Sequence, residues 1–440
     1  MHFDFCVLNY MKETIQKILA FLTRKILAKY KPRVIGITGS VGKTSTKEAV
    51  FSVLAPYFYA RRNLKNYNNE IGLPLTVIGA ESGGRSAFRW LGVLLRGFAI
   101  WLLPVKYPDI LILEMGADHP GDIKYLTDMV RPLIGIVTAV APVHTEFFGT
   151  VEKVAEEKSI LIKVLPKDGI AILNFDDPRV RAMREKSACR TMAYGFEQMA
   201  DVRAIESAVS FHALGVPGHD MGGIHFKLSQ GQNAIPVYLT GVLGRQQVYS
   251  ALAAASVGLA LGLNPIQISE ALRGYHPPAG RMNLLSGIKE TTIIDDTYNA
   301  SPVSVGAALD VFKILPKNES VKFYACLGDM LELGKDSAQM YREIGWKVAE
   351  IGVDVLIASG ALAKDIAVGA KEGGMSESQV FHFAKPGEAG KFLQEKIKSG
   401  DVILIKGSQG ARMEKAVKEI MAEPMKAGEL LVRQGPEWLG

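Results

Sequence analysis

Cysteine is scarce in this sequence of 440 residues, which contains only Cys6, Cys189 and Cys326. No two of them form a Cys-x-x-Cys pair, so the sequence predicts neither a disulfide framework nor a zinc ribbon. A cleavable signal with a small-residue cleavage site is also missing, and we therefore expect a cytoplasmic protein. The formal net charge of +6 is small for this length and does not indicate a nucleic-acid partner.

Long uncharged hydrophobic runs are absent as well. The longest apolar stretch, Phe88–Pro104, has Arg96 in its middle, which argues against a membrane-spanning helix. A second segment, Lys12–Tyr30, repeats apolar residues at helical spacing between basic ones. We expect the stretch at 88–104 to form a buried or interfacial helix that contacts this N-terminal helix.

Two interpretations of these paired segments stay open. They form either a closed intramolecular pair, or a basic, aromatic-rich rim that contacts the inner face of an anionic membrane peripherally. The rim would contain Arg89, Trp90, Arg96 and Trp101.

The most informative segment is Val34–Thr46, in which a β-branched run leads into a glycine turn and then a helical pattern. This order is typical of a phosphate-binding loop, in which backbone N–H groups and the positive end of a helix face the phosphates. Lys43 would neutralise the β- and γ-phosphates, and the Thr44 hydroxyl would bind Mg²⁺. The predicted nucleotide-binding residues of this loop are Gly39, Ser40, Val41, Gly42, Lys43, Thr44 and Ser45.

Two further strands carry polar residues at their ends. Asp109–Met115 is a buried-strand pattern that contains Glu114, and Ile134–Thr138 is followed by His144. In open α/β sheets, ligands bind at the carboxyl ends of the strands. We therefore expect Glu114 and His144 to lie where the metal of the phosphate loop binds.

Strands alternate with helical patterns along most of the chain, which predicts an α/β protein. We expect a central phosphate-loop ATPase domain with a mostly parallel sheet and a C-terminal Rossmann-like domain, with a small antiparallel sheet over residues 201–239. No Gly-x-Gly-x-x-Gly follows the first strand of the second series, so we expect no dinucleotide cofactor. The predicted domains are 1–31, a basic amphipathic helix; 32–279, with a hydrophobic insertion at about 85–106; and 280–440.

Several motifs in order resemble those of the Mur ligases, ATP-dependent enzymes that add amino acids to the peptidoglycan precursor. The resemblance runs from about Arg33 to the helix containing Lys415. It rests on the phosphate loop and on the segments Asn66–Gly72, His144–Gly149, Asp295–Pro302, Leu327–Gly334 and Lys406–Ser408. The last three look most like the family members that attach D-alanyl-D-alanine to a UDP-N-acetylmuramoyl tripeptide. Taken alone, the Asn-rich segment is also typical of a turn.

This resemblance implies an ATP-dependent ligase of peptidoglycan synthesis that works through an acyl phosphate, with UDP-muramoyl peptide and D-alanyl-D-alanine as substrates. We expect it to act as a monomer. The alternatives are a Mur-like ligase for another carboxylate (poly-γ-glutamate, a pseudomurein-type peptide or a lipid-linked precursor) and an ATP-binding regulatory protein that has lost catalysis.

The resemblance also assigns roles to residues. It implies two Mg²⁺ ions, held by Thr44, Glu114, His144 and Lys158, with Lys158 carbamylated. Lys43, His144, Lys158 and Arg281 would be catalytic, and Arg281, Asp296 and Asn299 would contact the nucleotide. Asn66, Asn68, Asn69, Lys406 and Ser408 would contact substrate.

Two departures from the family pattern stand out. Only about thirty residues precede the phosphate loop, so we expect the usual N-terminal UDP-sugar-binding domain to be absent. Where the family has His-Asn at the start of an Ala-rich helix, this chain has Gln246-Gln247, which affects the predicted contact with adenine.

Overall fold

The computed structural model describes residues 2–64, 67–84, 86–141, 145–210, 222–317, 320–331, 333, 337–435 and 438, with the backbone alone at 2–12, 145–146 and 210. Contacts divide the chain into two compact units. Unit 1 comprises Met1–Glu206, Phe226–Val237 and Val248–Tyr275, and unit 2 comprises Ser207–His225, Tyr238–Gln247 and His276–Gly440. The division into 1–31, 32–279 and 280–440 stays a prediction.

The first sheet has nine strands. They are β1 (Arg33–Thr38), β2 (Ala60–Arg62), β3 (Ile110–Glu114), β4 (Ile134–Val137), β5 (Ile170–Asn174), β6 (Arg190–Gly195), β7 (Val202–Ser210), β8 (Gly223–Gln230) and β9 (Asn233–Thr240). Their spatial order is β2-β3-β1-β4-β5-β6-β7-β8-β9, and β2 to β7 pair in parallel. The stretch at 201–239, for which the sequence predicts a small antiparallel sheet, forms β7, β8 and β9, which continue the main sheet through the parallel pairing of β6 with β7.

The second sheet has six strands. They are β10 (Asn283–Ser286), β11 (Thr292–Asp296), β12 (Phe323–Gly328), β13 (Val355–Ser359), β14 (Val380–Phe383) and β15 (Val402–Lys406), in the order β10-β11-β15-β12-β13-β14. Only β10 pairs antiparallel to its neighbour. Along β12, Phe323 and Ala325 pack in one apolar core whereas Tyr324 and Cys326 pack in another. The sheet is therefore covered on both faces, as the period of two in a strand requires.

Sixteen α-helices are described in the residues that the structure covers. They are α1 (His2–Tyr30), α2 (Lys43–Leu54), α3 (Gly72–Ile78), α4 (Ala87–Leu102), α5 (Asp122–Val130), α6 (Thr145–Phe148), α7 (Val151–Lys163), α8 (Pro178–Arg181), α9 (Arg245–Ala260), α10 (Pro265–Leu272), α11 (Pro302–Leu309), α12 (Ser337–Ile351), α13 (Lys364–Glu372), α14 (Pro386–Lys396), α15 (Glu414–Ile420) and α16 (Ala427–Leu430). The predicted α/β class, with one large mostly parallel sheet and a second one, is confirmed.

Helix starts follow local chemistry. Asn264 and Ser301 cap α10 and α11, and a proline occupies the first position of each helix. In each cap the side chain accepts from the backbone N–H of the third helical residue, whose own side chain accepts from the backbone N–H of the capping residue. Helix α2 begins differently, because Gly42 precedes it with φ 85° and offers no capping side chain.

Helices α1 and α4 contact each other, as the sequence predicts. Leu22 of α1 is fully buried, and a methyl group added at Gly97 of α4 would lie 2.8 Å from its Cδ1. The Lys29 ammonium donates to the carbonyls of Ile100 and Trp101, at 3.1 and 2.9 Å, at the carboxyl end of α4. The pair is therefore part of the packed structure of unit 1.

We expect Leu22→Ala to lower the free energy of opening of α1 by about 2–5 kcal/mol, because it leaves a cavity against α4. Hydrogen exchange measured by mass spectrometry reports that opening on the peptides of α1. Arg24→Ala is the matched control, because Arg24 is exposed on the same helix. Equal protection in the two variants would contradict this packing.

Candidate active site

The phosphate loop connects β1 to α2, and two glycines make its path possible. Gly39 has φ 149°, and a Cβ there would lie 2.0 Å from Thr138 Oγ1 at the end of β4. Gly42, with φ 85°, occupies the left-handed region that favours glycine. Ser40 N donates to Ala139 O at 2.7 Å, which ties the loop to the neighbouring strand end. The loop is thus shaped as a backbone cradle at the carboxyl edge of the sheet.

Lys43 and Thr44 begin α2 on the same edge. The Lys43 ammonium donates to the carbonyl of Gly39 at 2.7 Å, so this cation lies along its own loop. The Thr44 hydroxyl donates to Glu114 Oε1 at 3.3 Å. Strand pairing explains that contact, because Glu114 ends β3 in register with Ile37 of β1. The structure therefore brings together Thr44 and Glu114, which lie 70 positions apart in the sequence.

The Glu114 side chain is buried, with 3% exposure, and its surroundings include residues that sequence reasoning missed. Asn63 Oδ1 accepts from the backbone N–H of Glu114 at 2.7 Å, and Asn68 Nδ2 donates to Oε1 at 3.4 Å. Lys47, one helical turn after Lys43, is 1% exposed and places its ammonium 3.9 Å from Glu114 Oε2. Its spacing from Lys43 is the one signal in the sequence for this second cation.

A magnesium ion fits this arrangement. Glu114 Oε2 is buried and has no hydrogen-bond partner among the described residues. Mg²⁺ is usually held by one or two carboxylates together with substrate phosphates and water. Groups of three or more His, Cys, Asp and Glu that could hold a metal ion do not occur in the described part of the chain.

Lys158 lies on α7 and is 3% exposed. Burial, and to a lesser extent the positive charge of Lys43, lower the pKa of its ammonium to about 7. The neighbouring Glu157 accepts from the backbone N–H groups of Gly121 and Ile123, at 2.9 and 2.8 Å, and so ties α7 to the start of α5. A substantial fraction of Lys158 is therefore an uncharged amine near neutral pH.

The substrate loop and the metal loop are covered in part. His144 and Asn66 lie outside the described residues. Asn69 Oδ1 accepts from Gly72 N at 2.9 Å at the start of α3, so this side chain shapes its own turn. Of the two predicted asparagines that the structure describes, Asn68 lies against Glu114.

In unit 2, Asp296 and Lys406 are opposite residues on the parallel strands β11 and β15. The Lys406 ammonium lies 2.5 Å from Asp296 Oδ2 and donates to the carbonyl of Asn299 at 2.8 Å. The lysine is 3% exposed, so the two charges form a buried pair. Removing either partner would leave the other charge buried and uncompensated.

Arg281 lies just after Gly280, whose φ is 69°. Its guanidinium stacks 3.8 Å from the centroid of the Tyr298 ring, and its Nε has no hydrogen-bond partner among the described residues. Gln247 Nε2 donates to the backbone carbonyl of Arg281 at 2.8 Å. Gln247, one of the two residues at which the chain departs from the family pattern, therefore positions the backbone at Arg281. The sequence did not indicate this role.

Ser408 and Asp295 are two further polar residues at the carboxyl edge of the second sheet. Ser408 is buried, and its hydroxyl has no hydrogen-bond partner in the part of the chain that the structure describes. Asp295 Oδ1 accepts from the Thr297 hydroxyl at 2.6 Å. Burial raises the pKa of Asp295 to about 6, although the bonds from Thr297 oppose this.

Comparison with known proteins agrees with this arrangement. Residues 98–258 match the family model of the Mur ligase middle domain, and residues 280–409 match that of the Mur ligase glutamate ligase domain. The UDP-N-acetylmuramoyl-tripeptide–D-alanyl-D-alanine ligase of Mycobacterium tuberculosis (strain H37Rv) is 32% identical over 406 residues, which are 89% of this chain and 73% of that protein. The chain belongs to the Mur ligase family.

Other relatives carry the same name. The Bacillus subtilis (strain 168) enzyme is 29% identical over 92% of this chain and 79% of its own length. A solved structure of the Thermotoga maritima MurF ligase in complex with ADP aligns with a TM-score of 0.73 and 26% identity, covering 93% of this chain and 84% of that one. The predicted resemblance is confirmed, and with it the class of enzyme, a ligase.

We expect Asp295→Asn to change how the stability of this Mur ligase depends on pH. The carboxyl of Asp295 has a pKa of about 6 in the folded protein and of 3.8 in the unfolded chain. The folded wild-type protein therefore loses stability as the pH rises through this window. The amide does not titrate, so the variant should gain about 3 kcal/mol relative to wild type between about pH 4 and about pH 8. Calorimetric Tm differences at the two pH values measure this gain. A pH-independent Tm difference would contradict the raised pKa.

Proposed function

We propose that this Mur ligase uses ATP to join D-alanyl-D-alanine to the peptide carboxylate of a UDP-N-acetylmuramoyl tripeptide. In this reaction a carboxylate oxygen attacks the γ-phosphorus of ATP, and an acyl phosphate and ADP form. The amine of D-alanyl-D-alanine then attacks the acyl carbon, and inorganic phosphate leaves. The observation that carries the proposal is the assembly of Lys43, Thr44, Glu114 and Lys158 in unit 1.

The first step needs positive charge around the transferring phosphoryl group. In unit 1, the backbone N–H groups of the glycine loop and of the start of α2 would donate to the phosphate oxygens. The Lys43 ammonium would exchange its present acceptor, the Gly39 carbonyl, for phosphate oxygens. Thr44 and Glu114 would hold a Mg²⁺ ion, which supplies charge neutralisation for the phosphates when bound.

Lys158 suits a modified role. Its uncharged amine can attack carbon dioxide and lose a proton, which gives a carbamate with a negative charge. Burial that lowers the pKa to about 7 favours this reaction, because only the neutral amine is a nucleophile. The carbamate and His144 would hold a second Mg²⁺. The proposal therefore includes two Mg²⁺ sites.

The relatives support the substrate assignment, because those described above are ligases for the UDP-N-acetylmuramoyl tripeptide and D-alanyl-D-alanine. A ligase for a different carboxylate is the second candidate. The change to Gln246-Gln247, which affects the predicted contact with adenine, bears instead on the alternative of a protein that has lost catalysis. The geometry around Glu114 argues against a protein that has lost catalysis, since it preserves a buried carboxylate oxygen without a hydrogen bond among the described residues.

The remaining roles belong to the same proposal. Arg281, Asp296 and Asn299 would contact the nucleotide, and Asn66, Asn68, Asn69, Lys406 and Ser408 the substrates. We place the enzyme in the cytoplasm as a monomer, with peripheral contact at the inner face of the membrane.

The purified protein should release phosphate from ATP only when a UDP-muramoyl tripeptide and D-alanyl-D-alanine are both present, and mass spectrometry should detect the joined product. Omission of each substrate in turn, and its replacement by other peptide precursors, tests the substrate. Lys43→Ala should lower the rate at least about 100-fold, because its charge acts on the transferring group. Release with a different acceptor alone would support the second candidate, and unchanged turnover in Lys43→Ala would remove the ATP-dependent reaction.

We expect Lys158→Ala to lose activity and to recover part of it when a short-chain carboxylic acid is added, because the acid replaces the carbamate. Lys153→Ala is the matched control, because Lys153 lies on the same helix and is exposed. It should be active and should not respond to the acid. Full activity of Lys158→Ala without the acid would show that no carbamate is needed.

A further inference from the structure

Helix α4 is apolar on two sides, and only one of them is covered by protein. Val93 and Ile100 are buried in the core of unit 1, and Gly97 faces Leu22 and Ile78. The opposite side exposes an outer stripe at helical spacing, with exposed fractions of 85% for Phe88, 53% for Leu91, 59% for Leu95, 36% for Phe98 and 65% for Leu102. The stripe is about 20 Å long at 1.5 Å per residue. Exposed apolar surface of this continuity marks a binding face.

Basic groups border the outer stripe. The Lys25 ammonium lies 5.5 Å from the ring centroid of Phe21 and 5.8 Å from that of Trp101. Arg96 follows Leu95 on α4, and a bond from its Nε to the Ile78 carbonyl at 3.2 Å fixes its position. Lys29 is held at the end of α4 by the carbonyls of Ile100 and Trp101. The positive charge is therefore fixed beside the apolar side chains.

The charge of the whole chain is concentrated here. Residues 12–31 and 86–106 contain nine basic residues and one acidic residue. Since the formal charge of the chain is +6, the rest of the sequence carries a charge of −2. The small net charge thus conceals one strongly basic surface.

We propose that α4 and the exposed side of α1 dock this protein on an anionic lipid bilayer, with the outer stripe at the boundary of headgroups and acyl chains. An amphipathic helix of this kind lies in the plane of the interface, with basic residues at the headgroups and Phe, Leu and Trp below them. None of the helices in the described residues combines the length and the apolar composition that a bilayer-spanning helix needs. The proposal does not depend on which carboxylate the enzyme uses.

The charges favour a bilayer over a second copy of this chain. A symmetric dimer through the outer stripe would place Lys25, Arg96 and their copies near one another, and like charges at an interface repel. The stripe lies on the exposed side of a single helix. The fluid surface of a bilayer can cover it there, whereas a protein partner would need a groove of matching shape. Anionic headgroups would neutralise the basic residues, each of which adds about a factor of five to binding near such a surface.

Cosedimentation of the full chain with phosphatidylcholine vesicles, with and without phosphatidylglycerol, tests the proposal. We expect binding to the anionic vesicles that falls with added salt, and little binding to phosphatidylcholine alone. The variant Phe88→Ser/Leu91→Ser/Leu95→Ser should lower binding on the order of tenfold or more, because it removes inserted apolar surface. The variant Lys17→Gln/Arg24→Gln/Lys25→Gln should lower it about 100-fold at low salt.

Met199→Ser/Ile266→Ser is the matched control, since both side chains are exposed in unit 1, by 74% and 59%, away from α4. It should bind like wild type, and all variants should keep the wild-type Tm and phosphate release. In a Trp346→Phe/Trp438→Phe background, the fluorescence of Trp90 and Trp101 should be quenched by brominated lipid.

Several results would overturn the proposal. These are equal binding to neutral and anionic vesicles, unchanged binding of the Phe88→Ser/Leu91→Ser/Leu95→Ser variant, and a wild-type dimer in solution that this variant dissociates. Capture of a protein by the stripe, without binding to vesicles, would also overturn it. Loss of ligase activity with intact vesicle binding would instead concern the proposed function alone.

Discussion

The parallel pairing of β1 with β3 and β4 is the constraint on which the candidate site depends. It places the ends of the three strands at one edge, so that Gly39, Glu114 and Thr138 become neighbours. The approach is so close that a Cβ at Gly39 would lie 2.0 Å from Thr138 Oγ1. A phosphate-binding loop requires such backbone proximity, because most of its contacts to the phosphates come from backbone N–H groups. The chemistry of the loop therefore depends on the register of the strands.

Several charged side chains are buried in the two units, and their burial costs free energy of folding. Lys47, Glu114 and Lys158 are each at most 3% exposed in unit 1, and unit 2 buries the pair Asp296–Lys406. Desolvation makes each of these groups costly to fold, and a hydrophobic replacement of similar volume is often no less stable. Their burial therefore indicates a functional role and not a contribution to stability.

Much of the fold and part of the site could be predicted from the sequence. Buried strand patterns, the glycine loop and the carboxylate of Glu114 are local signals, and strand topology converts them into one edge. The contribution of Gln247, which holds the Arg281 carbonyl, could not be predicted, because it joins residues 34 positions apart through a side-chain amide. The position of Lys406 was hidden for a similar reason, since its pairing with Asp296 follows from register between β11 and β15.

Helix α4 shows a different limit of sequence reasoning. Its composition is apolar around most of the circumference, a pattern that in isolation suits a helix buried on all sides. The structure covers only the side containing Val93 and Ile100, because α1 and α3 supply partners for that side. Burial therefore explains why the helix is apolar toward unit 1, whereas it gives no reason for Phe88 or Leu95 on the other side. Residues that packing does not require, and that solvent disfavours, point to a second environment for that surface. The basic residues beside them restrict that environment to one of negative charge.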